Sequence, residues 1–198
     1  MKDLGFGTGL MEAKLPYAVK VPVFSMEKLP GAEVMLGPEM RSTGEVLGLG
    51  TTPEEAMRKG MIAAGVPFPE KIRILAMVRD VEKPRLQEII KGSQGLQVEW
   101  TATGGTAKLF EDEGITCSKV EKIQQSDELL AEIRQGDYDW VLNLPTKGND
   151  ATRDGFLIRR ATLESGKTLF TSFETFETAF AQWQLVEAEK RFYPLMKK

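Results

Sequence analysis

The sequence predicts an α/β protein: a mostly parallel five-stranded sheet with helices on both faces, preceded by an irregular N-terminal stretch. Three observations predict it. From Lys71 onward, short apolar runs alternate with amphipathic stretches, the signature of successive strand–helix units. Glycines 114, 136 and 166 stand where those helical stretches should stop. Before Lys71 the texture is different, because Pro16, Pro22, Pro30, Pro38, Pro53, Pro67 and Pro69 interrupt any long regular element.

Taken in order, residues 1–69 offer one plausible short strand, Val19 to Phe24, which Pro22 demotes to an edge or irregular strand. One helix there is well signposted. Thr52-Pro53-Glu54-Glu55 reads as an N-cap, a proline at the first helical position and a glutamate completing a capping box. That helix is expected to run to about Ala64 and stop at Gly65, before the stiff linker Val66-Pro67-Phe68-Pro69. The stretch does not look like a self-sufficient domain.

The sheet should begin with Ile72 to Val78, followed by a helix opened by Lys83-Pro84-Arg85 with Leu86, Ile89 and Ile90 on one face. Gln97 to Ala102 is the second strand; Thr103-Gly104-Gly105-Thr106 then turns into a helix ending near Gly114. A short strand around Ser118 to Val120 precedes a helix capped by Ser126-Asp127-Glu128 and running to Arg134. Trp140 to Asn143 is the fourth strand, a helix follows to Glu164, and Thr168 to Thr171 is the fifth strand. The last helix carries Phe173, Phe176, Phe180 and Trp183 at helical spacing, a stripe that reads as core.

Composition excludes several functions. The chain of 198 residues is 41% hydrophobic and 28% charged, ordinary for a globular protein. A formal net charge of −3 argues against a general nucleic-acid binder. No apolar run approaches the roughly 20 residues of a membrane helix, and the start has no apolar leader core, so a cytoplasmic protein is expected. The one cysteine, Cys117, rules out an intrachain disulfide. There is no histidine, which excludes Ser-His-Asp and Cys-His catalysis and any histidine-bound metal.

Ligands on parallel sheets bind where the loops leave the carboxyl ends of the strands. Thr103, Gly104, Gly105 and Thr106 lie at such an end. The glycines let backbone approach an anion, the threonines add hydroxyls, and the helix N-terminus behind them offers unpaired N–H groups. The loop lacks the spacing of a Walker motif, and it reads equally as a glycine-rich turn with a threonine N-cap. Lys83 after strand one, Lys122 after strand three, and Asn143 and Thr146 after strand four fall at the same edge. Each alone reads as a solvated lysine or a polar turn; together they place cations and hydroxyls on one side of one sheet. Gly5-Phe6-Gly7-Thr8-Gly9 follows no strand and is not a dinucleotide fingerprint, and Arg159-Arg160 reads as a solvated helix face or an interface pair.

Two stretches carry a resemblance. Val19 to Phe24 followed by Leu36-Gly37-Pro38-Glu39-Met40-Arg41-Ser42-Thr43-Gly44-Glu45-Val46 resembles the end of the second ATP-grasp unit of carbamoyl phosphate synthase large chains. Lys71 to about Gln184 resembles the methylglyoxal synthase-like regulatory domain that follows it in that family. The landmarks are Val78-Arg79-Asp80 with Lys83, Ala102 to Ala107, Asn143-Leu144-Pro145 and Ile158-Arg159-Arg160. The resemblance divides the chain at residue 69, into an ATP-grasp remnant at 1–69 and a regulatory domain at 70–198. It implies a bound effector, UMP or IMP in many bacterial members. Thr103, Gly104, Gly105 and Thr106 would hold its phosphate with Lys83 and Lys122, while Asn143 and Thr146 contact the rest. Met77, where some relatives have serine, and Ile123-Gln124-Gln125-Ser126, in place of a more charged loop, leave the effector open.

By the same resemblance, ATP and magnesium act in the upstream part of the enzyme, so residues 1–69 hold too little of that unit to make carbamoyl phosphate. The implied partners are the rest of the large chain and the glutaminase small chain; a homo-oligomer through an orphan strand edge at Val19 to Phe24 is conceivable. Two rivals stand beside this reading. Methylglyoxal synthase activity would need the histidine this chain lacks. A domain that binds no nucleotide and only docks or oligomerises would need none of the site residues.

Overall fold

The computed structural model describes residues 15–25, 42–121, 128–144 and 154–192, the side chains of 189–192 excepted. Two strands come first. β1 (Tyr17–Val23) and β2 (Gly44–Gly50) pair antiparallel as a separate two-stranded sheet, with Val19 opposite Gly48 and Val21 opposite Val46. β2 corrects the sequence reading, which allowed a single strand here and left its edge orphaned. The glycines that disguised it as loop are there because α1 (Pro53–Ala63) rests directly on strand backbone. A Cβ on Gly48 would collide with the Ala56 carbonyl oxygen and the Gly60 amide, and one on Gly50 would lie 2.5 Å from the Ala56 nitrogen. In a two-stranded sheet both strands are edges, which tolerates Pro22.

α1 starts as its sequence predicts. The Thr52 side chain accepts from the Glu55 amide at 3.1 Å, and Pro53 takes the first helical position. The return half of the box is displaced by one residue: Glu55 Oε2 accepts from the amide and hydroxyl of Thr51, at 2.7 and 2.8 Å, rather than from Thr52. Gly65, with φ of 92°, closes the helix in a conformation that favours glycine.

The main sheet contains β3 (Ile72–Met77), β4 (Val98–Thr103), β5 (Cys117–Val120), β6 (Trp140–Asn143) and β7 (Thr168–Phe170). Its order is β5-β4-β3-β6-β7, and every neighbouring pair is parallel. The helices between and after the strands are α2 (Lys83–Gly92), α3 (Gly104–Asp112), α4 (Glu128–Gln135), α5 (Asp154–Glu164) and α6 (Phe173–Phe192). Strand alternation feeds two cores. Ile72, Ile74, Ala76, Trp140 and Leu142 bury against α2, α3 and α6, while Leu75 and Val141 face α4 and α5 on the other side.

Phe173, Phe176, Phe180 and Trp183 are all buried, as their spacing implies. Phe176 packs on Trp140 and Phe170, and Phe180 on Trp100 and Trp183, with ring centroids between 5.5 and 6.3 Å. The linker is bolted to this core. Trp140 Nε1 donates to the Pro67 carbonyl at 3.1 Å, Trp183 Nε1 to the Pro69 carbonyl at 2.7 Å, and Phe68 meets Trp140 edge-on at 5.9 Å. Met61 of α1 joins the same core. Among the described residues no helix is long and apolar enough to cross a membrane.

Two outcomes follow from the N-terminal packing. Gly48→Ala should cost about 1–3 kcal/mol in urea unfolding, because backbone must move apart. Gly44→Ala, whose added methyl meets nothing within 4 Å, should change stability by less than about 0.5 kcal/mol. The second outcome concerns acid. Lys59 first, then the Thr51 amide and hydroxyl, hold the Glu55 carboxyl down at about 2, against 4.5 ordinarily. A carboxylate depressed by folding stabilises above its unfolded value and loses that contribution as pH falls toward its folded one. Chemical denaturation of the wild type between pH 5 and about 2 should therefore show a loss that Glu55→Gln removes.

Candidate functional site

The strand order reverses at β3: the chain moves from β3 through β4 to β5, then returns to β6 and β7 on the opposite side. At such a reversal the loops leaving neighbouring strands diverge and open a crevice at their carboxyl ends. Met77 pairs with Asn143 and Thr103 with Val120, so the ends of four strands reach nearly the same level. Four of the sequence-predicted positions cluster after β4, one opens α2 after β3, and Asn143 ends β6. Lys122 and Thr146 lie outside the described residues.

α3 begins at Gly104 with Thr103 as its N-cap residue. The Thr103 side chain makes no cap hydrogen bond, and the first turn contains no acidic residue. The leading N–H groups of α3 therefore keep their hydrogen-bonding capacity and the positive end of the helix dipole. Neither Gly104 nor Gly105 has positive φ, so backbone conformation requires glycine at neither position. A Cβ on Gly104 would press to 3.1 Å from Lys119 Cε, whereas one on Gly105 meets nothing within 4 Å. Thr106 is buried, and its hydroxyl accepts from the Val78 amide at 3.4 Å, pinning the first turn of α3 to the exit of β3. That hydroxyl still has its own proton to donate.

Lys83 is the first residue of α2. Its ammonium sits 2.7 Å from Asp80, in a short 3-10 turn at Asp80–Glu82. Hydrogen bonding to Lys83 holds the Asp80 carboxyl below its ordinary value. An incoming anion would compete with Asp80, an exposed carboxylate, for this ammonium. Beside them Arg79 forks onto the buried Glu82 through Nε at 3.1 Å and Nη2, which stiffens the turn.

Asn143 is buried, and its Oδ1 accepts from Arg159 Nη1 at 3.0 Å while its Nδ2 lies 3.8 Å from Met77 Sδ. Gly155 makes room for this pair, since a Cβ there would lie 3.1 Å from Arg159 Nη1. The sequence reading of Arg159 and Arg160 as a solvated face is corrected: each is only 6% exposed, and Arg160 Nη2 pairs with Glu164 at 2.9 Å. Long cationic stems were buried because α5 packs its flank on α4 and β7, and each guanidinium found an oxygen.

The sequence reading passed over Lys119. Period two in β5 puts it on the same side as Cys117, which packs into the core under α3, and that pattern was the available signal. Cys117 itself is no nucleophile: burial pushes its thiol up to about 12. A separate groove of about 590 Å³ lies over β4 and β5, lined by Arg73, Thr101, Ser118, Glu132 and Tyr138 among others; none of the predicted site residues lines it. Among the described residues no cluster of acidic or thiol groups could hold a metal ion.

The fold is a parallel α/β sheet whose order reverses at β3, with an uncapped helix N-terminus and a lysine at its carboxyl edge. Residues 85–171 match the MGS-like domain family. Over nearly all of its length the chain matches the C-terminal region of carbamoyl phosphate synthase large chains. It is 44% identical over 192 residues to such a chain from Clostridium botulinum, covering 96% of this sequence and 18% of the relative. A Clostridium perfringens large chain is 43% identical, over 96% of this sequence and 17% of its own. The chain thus spans less than a fifth of the length of these relatives. The solved methylglyoxal synthase of Elizabethkingia anophelis is 22% identical, with a TM-score of 0.47 over 57% of this chain and 79% of its own.

The buried Asn143–Arg159 contact generates one expectation. Asn143→Leu removes an acceptor from a buried guanidinium and should cost about 1–3 kcal/mol in urea unfolding. A change under about 0.5 kcal/mol would show that Asn143 is not needed to hold Arg159.

Proposed function

We propose that this chain is the nucleotide-sensing regulatory part of a glutamine-dependent carbamoyl phosphate synthase, an enzyme that supplies carbamoyl phosphate to pyrimidine and arginine synthesis. The observation that carries the reading is the uncapped N-terminus of α3, set at the switch point with Lys83 beside it. A UMP- or IMP-type monophosphate would be held by the α3 N–H groups at Gly104 and Gly105, the hydroxyls of Thr103 and Thr106, and the ammonium groups of Lys83 and Lys122. Asn143 and Thr146 would contact ribose or base. Lys119, lying over Gly104, adds positive charge on the same flank.

The chemistry of synthesis, with ATP and magnesium, belongs to the preceding part of the large chain, and the glutaminase small chain completes the enzyme. The two-stranded sheet supports that attachment. Leu47 and Leu49 are 59% and 45% exposed on the face of β2 turned away from α1, with Leu15 exposed nearby. This face suits docking against another part of a large chain, of which the match spans 18%. A domain that only docks would keep this face and have no use for the bare helix end.

Calorimetric titration with UMP and with IMP separates the two. Saturable binding should weaken by at least about tenfold, roughly 1.4 kcal/mol, in Thr106→Ala and in Lys83→Ala. Flat titrations of folded wild type with both nucleotides would favour the docking domain.

A further inference from the structure

We propose that Arg85 is a positioning residue that couples the anion site to the linker through α6; the inference rests on the effector reading above. Arg85 stands two residues after Lys83, in the first turn of α2. Its guanidinium lies over the buried Phe173 ring, with Cζ 4.4 Å from the centroid. Nη1 donates to Glu174 Oε1 at 2.7 Å and Nη2 to Glu177 Oε2 at 2.6 Å. All three partners belong to the start of α6.

A lone surface ion pair would contribute little. Here one planar fork meets two carboxylates and a ring face at once, a geometry that lysine cannot reproduce. Seven residues further along α2, Gln184 Nε2 of α6 donates to the Gly92 carbonyl at 2.9 Å. The two ends of α2 are therefore tied to the start and the middle of α6. Next to Gln184, Trp183 grips the Pro69 carbonyl at 2.7 Å, and α6 also touches α1.

A continuous route results. Lys83 has two alternatives, Asp80 or an anion at the end of α3, and exchange between them acts on the first turn of α2. Arg85 hands that displacement to α6, and α6 hands it to the linker and the N-terminal sheet. Coupling of this kind needs an element whose two arrangements both sites bias, and the proposal assigns that part to the α2–α6 pair. None of these contacts touches the anion site itself, so removing Arg85 should separate binding from transmission.

The test combines calorimetry with hydrogen exchange on the full chain, using UMP and IMP as probes. In the wild type, the bound nucleotide should slow exchange at the Val66, Phe68 and Glu70 amides by at least about fivefold. Arg85→Met keeps the stem on Phe173 and removes the fork. It should bind within about threefold of wild type and lose the linker protection. The pair Glu174→Gln with Glu177→Gln, which leaves Arg85 on the ring, should behave the same way. Nucleotide binding without linker protection in the wild type, or protection undiminished in both variants, overturns the coupling and leaves the effector reading standing. No binding of either nucleotide to the wild type overturns both.

Discussion

The aromatic stripe of α6 is the constraint on which the other elements depend. Phe176 and Phe180 pack on rings from three strands, including Trp100 of β4 and Trp140 of β6, which lie on either side of β3. One helix thereby spans the point where strand order reverses. Aromatic side chains suit this duty because each buries a large area, and edge and tilted contacts fix their relative angles. The indoles of Trp140 and Trp183 add a polar function: each donates its N–H to a proline carbonyl of the linker. Packing of the sheet and attachment of the N-terminal unit thus share the same residues.

With the sheet order fixed, the location of the proposed anion site follows from topology. β3 is central, the chain leaves it in one direction for β4 and later occupies its other side with β6. The chain leaves these strands at Val78, Thr103 and Asn143, on the same edge of the sheet. Thr106 locks α3 to β3 there, and the Asn143–Arg159 pair locks β6 to α5. Thr106 and Asn143 are thereby held in place, as the proposed receptor for a small rigid anion would require.

Much of this was legible because local signals agreed. The helix stops at Gly114, Gly136 and Gly166 all have positive φ, and the α6 stripe buries as its period implies. The Thr103–Thr106 turn was legible as a strand–helix junction, because its glycines and threonines suit a tight turn into a helix. What escaped notice had physical reasons. Two of the three glycines in β2, Gly48 and Gly50, are there because α1 leaves no room for side chains, and glycine signals a loop when read without its neighbour. Arg159 and Arg160 sit on a helix whose buried face includes charge, so hydropathy alone places them outside. Lys119 is a single lysine in a four-residue edge strand, too short for alternation to stand out.

The central claim is that the N-terminus of α3 receives an anion at the switch point. Its most direct measurement is a map of backbone amide chemical shifts on isotope-labelled protein as UMP or IMP is added. The largest changes should fall on Gly104, Gly105 and Thr106, with Lys83 and Val78 next. Shifts concentrated instead over Thr101, Ser118 and Tyr138, or none at Gly104 to Thr106, would contradict it.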